Sequence, residues 1–191
     1  MSPILGIWAS ASAASRADTG AMFPLQVITV GAAGASSITF TNIPATYSHL
    51  QIRCIARHSG SGSGGDNIYM QFNNDTGTNY KSHFLYGNGS SASAGVGGSN
   101  DVNFAARIPT NAASSSIFGA GVIDILDYAN TNKYKTSRVL SGHDQNGSGE
   151  IFFFSGLWLN TNAITSIKLY SSGVNQIQYS QFALYAVKGA A

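Results

Sequence analysis

The residues able to do chemistry are few and widely spaced. The four histidines, His49, His58, His83 and His143, never stand in pairs at metal-ligand spacing, and Cys54 is the sole cysteine. A structural zinc site would need close Cys/His clusters. Asp75, Asp101, Asp124, Asp127 and Asp144 accompany the single glutamate, Glu150. Asp124 and Asp127 lie three apart in a strand-like segment and so face opposite sides. That opposes a glycosidase pair, which needs two carboxyl groups about 5–9.5 Å apart across a cleft. Asn73-Asn74-Asp75-Thr76-Gly77 carries oxygens that could meet Ca²⁺, but it lacks the regular acidic spacing of a calcium loop; a turn is the simpler reading.

Gly60-Ser61-Gly62-Ser63-Gly64-Gly65 matches the dinucleotide fingerprint letter by letter. The fingerprint works only between a strand and a helix, whose N-terminus holds the pyrophosphate. Here the strand-like residues 67–73 follow, so the match is accidental. No Walker lysine follows a glycine-rich loop, and no serine stands in a G-x-S-x-G context. No base, nucleophile and oxyanion donor stand out together, so the chain reads as a non-enzyme without metal or cofactor.

Charge narrows the partners. Asp, Glu, Lys and Arg make up 9% of the chain, against about 25% in ordinary soluble domains. The net charge of +2 and the scattered cations oppose binding driven by phosphate neutralisation, so no nucleic-acid partner is expected. Lys133-Tyr134-Lys135 is the one cationic group with a ring inside it; a base-stacking platform is the sharp reading, a solvated turn the plain one. A surface this poor in ions suits a subunit covered by neighbours, because interface cores are depleted in charge. The alternative is a free extracellular sandwich kept soluble by hydroxyls and amides.

The elements that must position these residues are strands. With 191 residues the chain is long enough to bury a core without disulfide or metal. Period-two alternation runs through 25–31, 36–41, 47–57, 67–73, 80–86, 102–107, 117–127, 134–142, 150–159, 164–171 and 179–187, with turn residues between. In 47–57, Leu50, Ile52, Cys54 and Ala56 face one way and Gln51, Arg53 and Arg57 the other, which makes Cys54 a buried small hydrophobe. Asn73–Gly77 suits a tight hairpin, and Gln145-Asn146-Gly147 holds the Asn-Gly pair favoured by type I′ turns. The Gly/Ser-rich stretches 59–65 and 87–100 read as loops. No helical stripe is sustained. Many short strands predict an antiparallel β-sandwich, jelly-roll-like, over 23–191.

Aromatic side chains make up 11% of the chain, and not all can be internal. Alternation sends at least one of Phe152, Phe153 and Phe154 outward. Tyr128, Tyr134 and Trp158 are the candidate surface contacts, able to stack on a sugar or to seal an interface.

Residues 1–22 differ sharply from the rest. Ile4, Leu5, Ile7 and Trp8 form an apolar cluster joined to the domain by a Ser/Ala-rich tether. Ala11-Ser12-Ala13 imitates a signal cleavage site, but no Lys or Arg precedes the apolar stretch, so the segment is expected to stay on the working protein. No apolar run approaches a membrane span, so no membrane partner is expected. A buried side chain of this kind gains about 1.5–3 kcal/mol, which predicts an extended N-terminal arm docked in a groove of its own chain or of a neighbour. A first strand of the same domain is the other reading.

Three stretches carry a resemblance. Ser2-Pro3-Ile4-Leu5-Gly6-Ile7-Trp8-Ala9-Ser10, Ile43-Pro44-Ala45-Thr46-Tyr47-Ser48-His49-Leu50-Gln51-Ile52-Arg53 and Phe182-Ala183-Leu184-Tyr185-Ala186-Val187-Lys188-Gly189 resemble the small structural proteins of tailed bacteriophages. The likeness spans nearly the whole chain, but its motifs are structural and bring no catalytic residues. It implies a virion protein assembled in the host cytoplasm, with other virion proteins as partners. A tail fibre or adaptor subunit, docked by its arm with its loops facing outward, is the first expectation. A trimeric capsid decoration or cement protein is the second, and a free carbohydrate-binding module the third. The phage likeness also suggests a homo-trimer and a host-surface glycan as ligand.

Overall fold

The computed structural model describes residues 21–62, 64–97, 100 and 102–189. Twelve strands and no helix occur among them: β1 (Met22–Thr29), β2 (Ser37–Phe40), β3 (His49–Ala56), β4 (Gly65–Phe72), β5 (Tyr80–Gly87), β6 (Ala92–Val96), β7 (Asn103–Pro109), β8 (Gly119–Leu126), β9 (Lys135–Asp144), β10 (Gly149–Trp158), β11 (Ile167–Tyr170) and β12 (Gln181–Val187). They form two antiparallel sheets. The large sheet runs β1-β12-β3-β8-β9-β10-β5-β6 and the small one β2-β11-β4-β7. The protein is an all-β sandwich.

Alternation dictates the core. On β3, Leu50, Ile52, Cys54 and Ala56 are buried while Arg53 and Ile55 are exposed. Ile68, Met70 and Phe72 of β4 and Phe182, Leu184 and Ala186 of β12 also turn inward. Where the sheets meet, the Phe72 and Trp158 ring centroids lie 5.5 Å apart, and Phe104 stacks on Phe154 at 4.7 Å. Such pairs add about 0.5–1.5 kcal/mol each beyond the area they bury.

The expected hairpin at Gln145–Gly147 is present. Gln145 N donates to Ser148 O at 2.6 Å, and Asn146 and Gly147 both take positive φ, 58° and 107°, as a type I′ turn requires.

Four expectations are corrected. Asn73–Gly77 is not a hairpin: β4 lies in the small sheet and β5 in the large one, so this turn carries the chain between layers. Residues 92–96, inside the expected loop 87–100, form β6; Ala and Gly hide the alternation there. Arg57 does not face outward. Strand β3 ends at Ala56, and the Arg57 guanidinium is buried among the carbonyls of Ser114, Ile117, Asn111 and Ala113. Strand β1, the first among the described residues, begins at Met22, the last residue of the expected tether. The rest of the expected arm, with Ile4, Leu5, Ile7 and Trp8, lies outside the described residues.

Candidate interaction surface

Among the described residues no group of three or more His, Cys, Asp or Glu could hold a metal ion. Cys54 is buried and its thiol is pushed up to about 12, chiefly by burial, against a hydrogen bond from the Gly121 backbone. A protonated thiol is a poor nucleophile.

The literal dinucleotide fingerprint has a different physical cause. A Cβ at Gly60 would lie 2.7 Å from His58 Cε1, and one at Gly65 only 2.4 Å from His143 Cε1. Gly64 adopts a φ of +84°. The loop carries glycine because it runs tightly over two buried imidazoles. His143 pairs across β9 and β10 with Glu150, whose Oε2 accepts from Arg107 Nε at 2.7 Å. His58 Nδ1 accepts from Gly60 N at 3.0 Å, and its Nε2 lies 3.8 Å from Asp66. Burial lowers both histidine pKa values; the nearby carboxylates oppose this and Arg107 reinforces it. The two rings are therefore held neutral inside the domain.

Of the three candidate aromatic contacts, only Tyr134 is exposed, at 51%. Tyr128 and Trp158 are buried, which removes them as surface contacts. Each uses its polar atom internally: the Tyr128 hydroxyl donates to Pro44 O, and Trp158 Nε1 donates to Asp75 Oδ2 at 2.7 Å. A buried Tyr or Trp needs such a partner. The Lys133-Tyr134-Lys135 group is also split. Lys135 is buried, with Nζ donating to the carbonyls of Asn130, Lys133 and Thr161 at 2.5, 2.9 and 2.9 Å. Lys133 is paired with Asp127 at 2.5 Å, so a base-stacking platform would have no free cation here.

What the sheets do assemble is an apolar band on the outer face of the large sheet. Register aligns Val122 of β8 with Leu140 of β9, Leu140 with Phe153 of β10, Phe153 with Leu85 of β5, and Leu85 with Ala94 of β6. Leu140, Phe153 and Leu85 are 53, 44 and 57% exposed. One step along the same face, Ala120, Gly142, Ile151, Gly87 and Ala92 form a second row. Ile151 is 59% exposed. Shallow grooves flank the Leu85–Phe153 pair. No ionisable side chain stands in either row across β8, β9, β10, β5 and β6. On the other side the band is bounded by a polar row of Gln51, Asp124, Arg138, Ser155 and His83.

Covering the exposed half of each large side chain would gain about 1 kcal/mol. A contiguous apolar face bordered by polar residues is the usual mark of an interaction site. Its signal in the sequence was the failure of alternation: Val122-Ile123, Val139-Leu140, Ile151 to Phe154 and Phe84-Leu85 place apolar residues on both parities. The run Phe152-Phe153-Phe154 required at least one outward ring without saying which, and the neighbours of Phe153 in the row were not expected. Compared with protein-family models, with curated proteins and with solved structures, the chain matches none.

Proposed function

We propose that this protein is a non-enzymatic structural subunit of a tailed-phage virion, a tail-associated fibre or adaptor component that works as a homo-oligomer, a trimer on the phage likeness. The observation that carries the reading is the uncharged apolar band across five strands of the large sheet. In a chain with so few charges, that band is a surface made to be covered, since a free monomer keeps itself soluble with a dense mixed-charge exterior. The N-terminal segment docks the subunit into the assembly, and the loops at the ends of the sandwich face outward. Tyr134 remains available on a loop for a host-surface glycan.

Deleting residues 2–10 and measuring incorporation into particles tests this. Loss of incorporation by a folded, truncated protein is the expected result, with a copy number in the tail range. A capsid-range copy number would favour the decoration protein. Full incorporation of the truncated chain, or a monomer at high concentration that is retained by glycan alone, would overturn the assembly reading.

A further inference from the structure

We propose that the apolar band receives the N-terminal segment of an adjacent copy of this chain, with Ile4, Leu5, Ile7 and Trp8 laid along the Leu85–Phe153–Leu140 row. The inference rests on the assembly reading above and names the occupant of its surface.

Chemistry matches on the two sides. The segment from Ser2 to Ser15 contains no ionisable side chain, and neither do the two rows of the band. Neither surface loses a hydrated charge when they meet. Reach is sufficient as well. Fourteen residue steps separate Trp8 from Met22, about 46 Å of extended chain.

The arrangement of the sheet favours a neighbour's segment over the chain's own. The chain enters the domain at β1, one edge of the large sheet, whereas the band ends at β6, the opposite edge. Between them the outer face carries Gln51 and Arg53 beside the exposed Ile55. Arg53 Nε donates to Gln51 Oε1 at 2.8 Å, and its guanidinium lies 5.7 Å from the centroid of the Tyr185 ring. A segment of the same chain crossing the sheet in line with Val122 would have to pass over that arginine. A copy placed with its β1 edge beside β6 meets the band directly, since β9 lies three strand spacings, about 14 Å, from that edge. The contact is head-to-tail, which closes into a ring when the rotation between copies closes and runs on as a filament when it does not.

The two tryptophans make the test specific. Trp158 is buried in the domain core at 1% exposure, so acrylamide quenching of the full-length protein reports on Trp8. Quenching and light-scattering mass would be followed on dilution, for the native chain and for Leu140→Lys and Ile7→Asp. Leu140→Lys alters an outward side chain and Ile7→Asp alters the segment, so loss of the domain cannot account for both. The expected result is a shielded Trp8 in the oligomer. Quenching should rise severalfold on dilution to monomer and in either variant. Trp8 shielded equally in the monomer would mean that the chain covers itself, and would overturn the proposal. Trp8 quenched freely in an intact oligomer would overturn the docking while leaving the assembly reading standing. A monomer at every concentration would remove both.

Discussion

The Trp158 indole and the Asp75 carboxylate meet at 2.7 Å, joining the last residue of β10 to the crossing turn between β4 and β5. Asn79 Nδ2 at 2.9 Å and Gly77 N at 2.9 Å also donate to this carboxylate. Asp75→Ala leaves the buried indole donor unpaired and frees the turn. A loss of about 2 kcal/mol is expected, read as a lower urea midpoint with an unchanged slope. Asp75→Asn, which keeps one acceptor oxygen, should lose less.

The same carboxylate predicts acid behaviour. Burial raises its pKa, but the hydrogen bonds from Trp158, Asn79 and Gly77 outweigh this and hold it below the ordinary carboxylate value. A depressed folded pKa contributes stability above the unfolded value, near ~3.9, and loses it as pH falls through the folded one. In Asp75→Asn the fall in unfolding free energy below ~pH 4 should be shallower than in the native chain.

Two buried histidines predict an earlier acid effect. His58 and His143 have lowered pKa values, mainly through burial. Unfolding lets both take up protons, so stability should be constant above ~pH 7 and fall as pH drops below ~6.5 toward their folded values. Denaturation at a series of pH values checks this. His143→Gln should flatten the slope between ~pH 6.5 and 5; an unchanged slope would exclude His143 as a contributor.

Lys135 is a charge held by backbone alone. Burial lowers its pKa, Asp127 opposes that and Lys133 reinforces it. Lys135→Met removes the donor from three carbonyls and should destabilise by about 3 kcal/mol, seen as a lower midpoint of thermal or urea unfolding.

The glycine-rich loop offers a paired test. A Cβ at Gly65 meets His143 at 2.4 Å, whereas one at Gly62 meets nothing within 4 Å. Gly65→Ala should cost about 2 kcal/mol through overpacking, and Gly62→Ala should be neutral within about 0.5 kcal/mol. Equal effects would refute the steric reason for glycine at Gly65.

Local rules made much of the architecture legible. Alternation marked eleven of the strands that form, because side-chain period two is imposed by the backbone itself. It also marked Cys54 as core and at least one of Phe152, Phe153 and Phe154 as outward, and Asn146-Gly147 announced its turn through the positive φ that both residues tolerate. Strand β6 escaped because Ala92, Ala94 and Gly95 carry almost no contrast between faces.

Residue type and nearest-neighbour spacing are enough to make this a charge-poor β protein with a one-face core. That Val122, Leu140, Phe153 and Leu85, far apart in the chain, stand side by side is a product of the folded sheet. Cross-strand register sets such neighbours, and register follows from the packing of both sheets together. Folding likewise decides which polar side chains are enclosed. Arg57 and Lys135 look like surface cations until the loops at 111–117 and 130–133 close over them. Long-range chain closure supplies the carbonyl partners of Arg57 and, through Thr161, one of those of Lys135, while Asn130 and Lys133 come from the turn just before it.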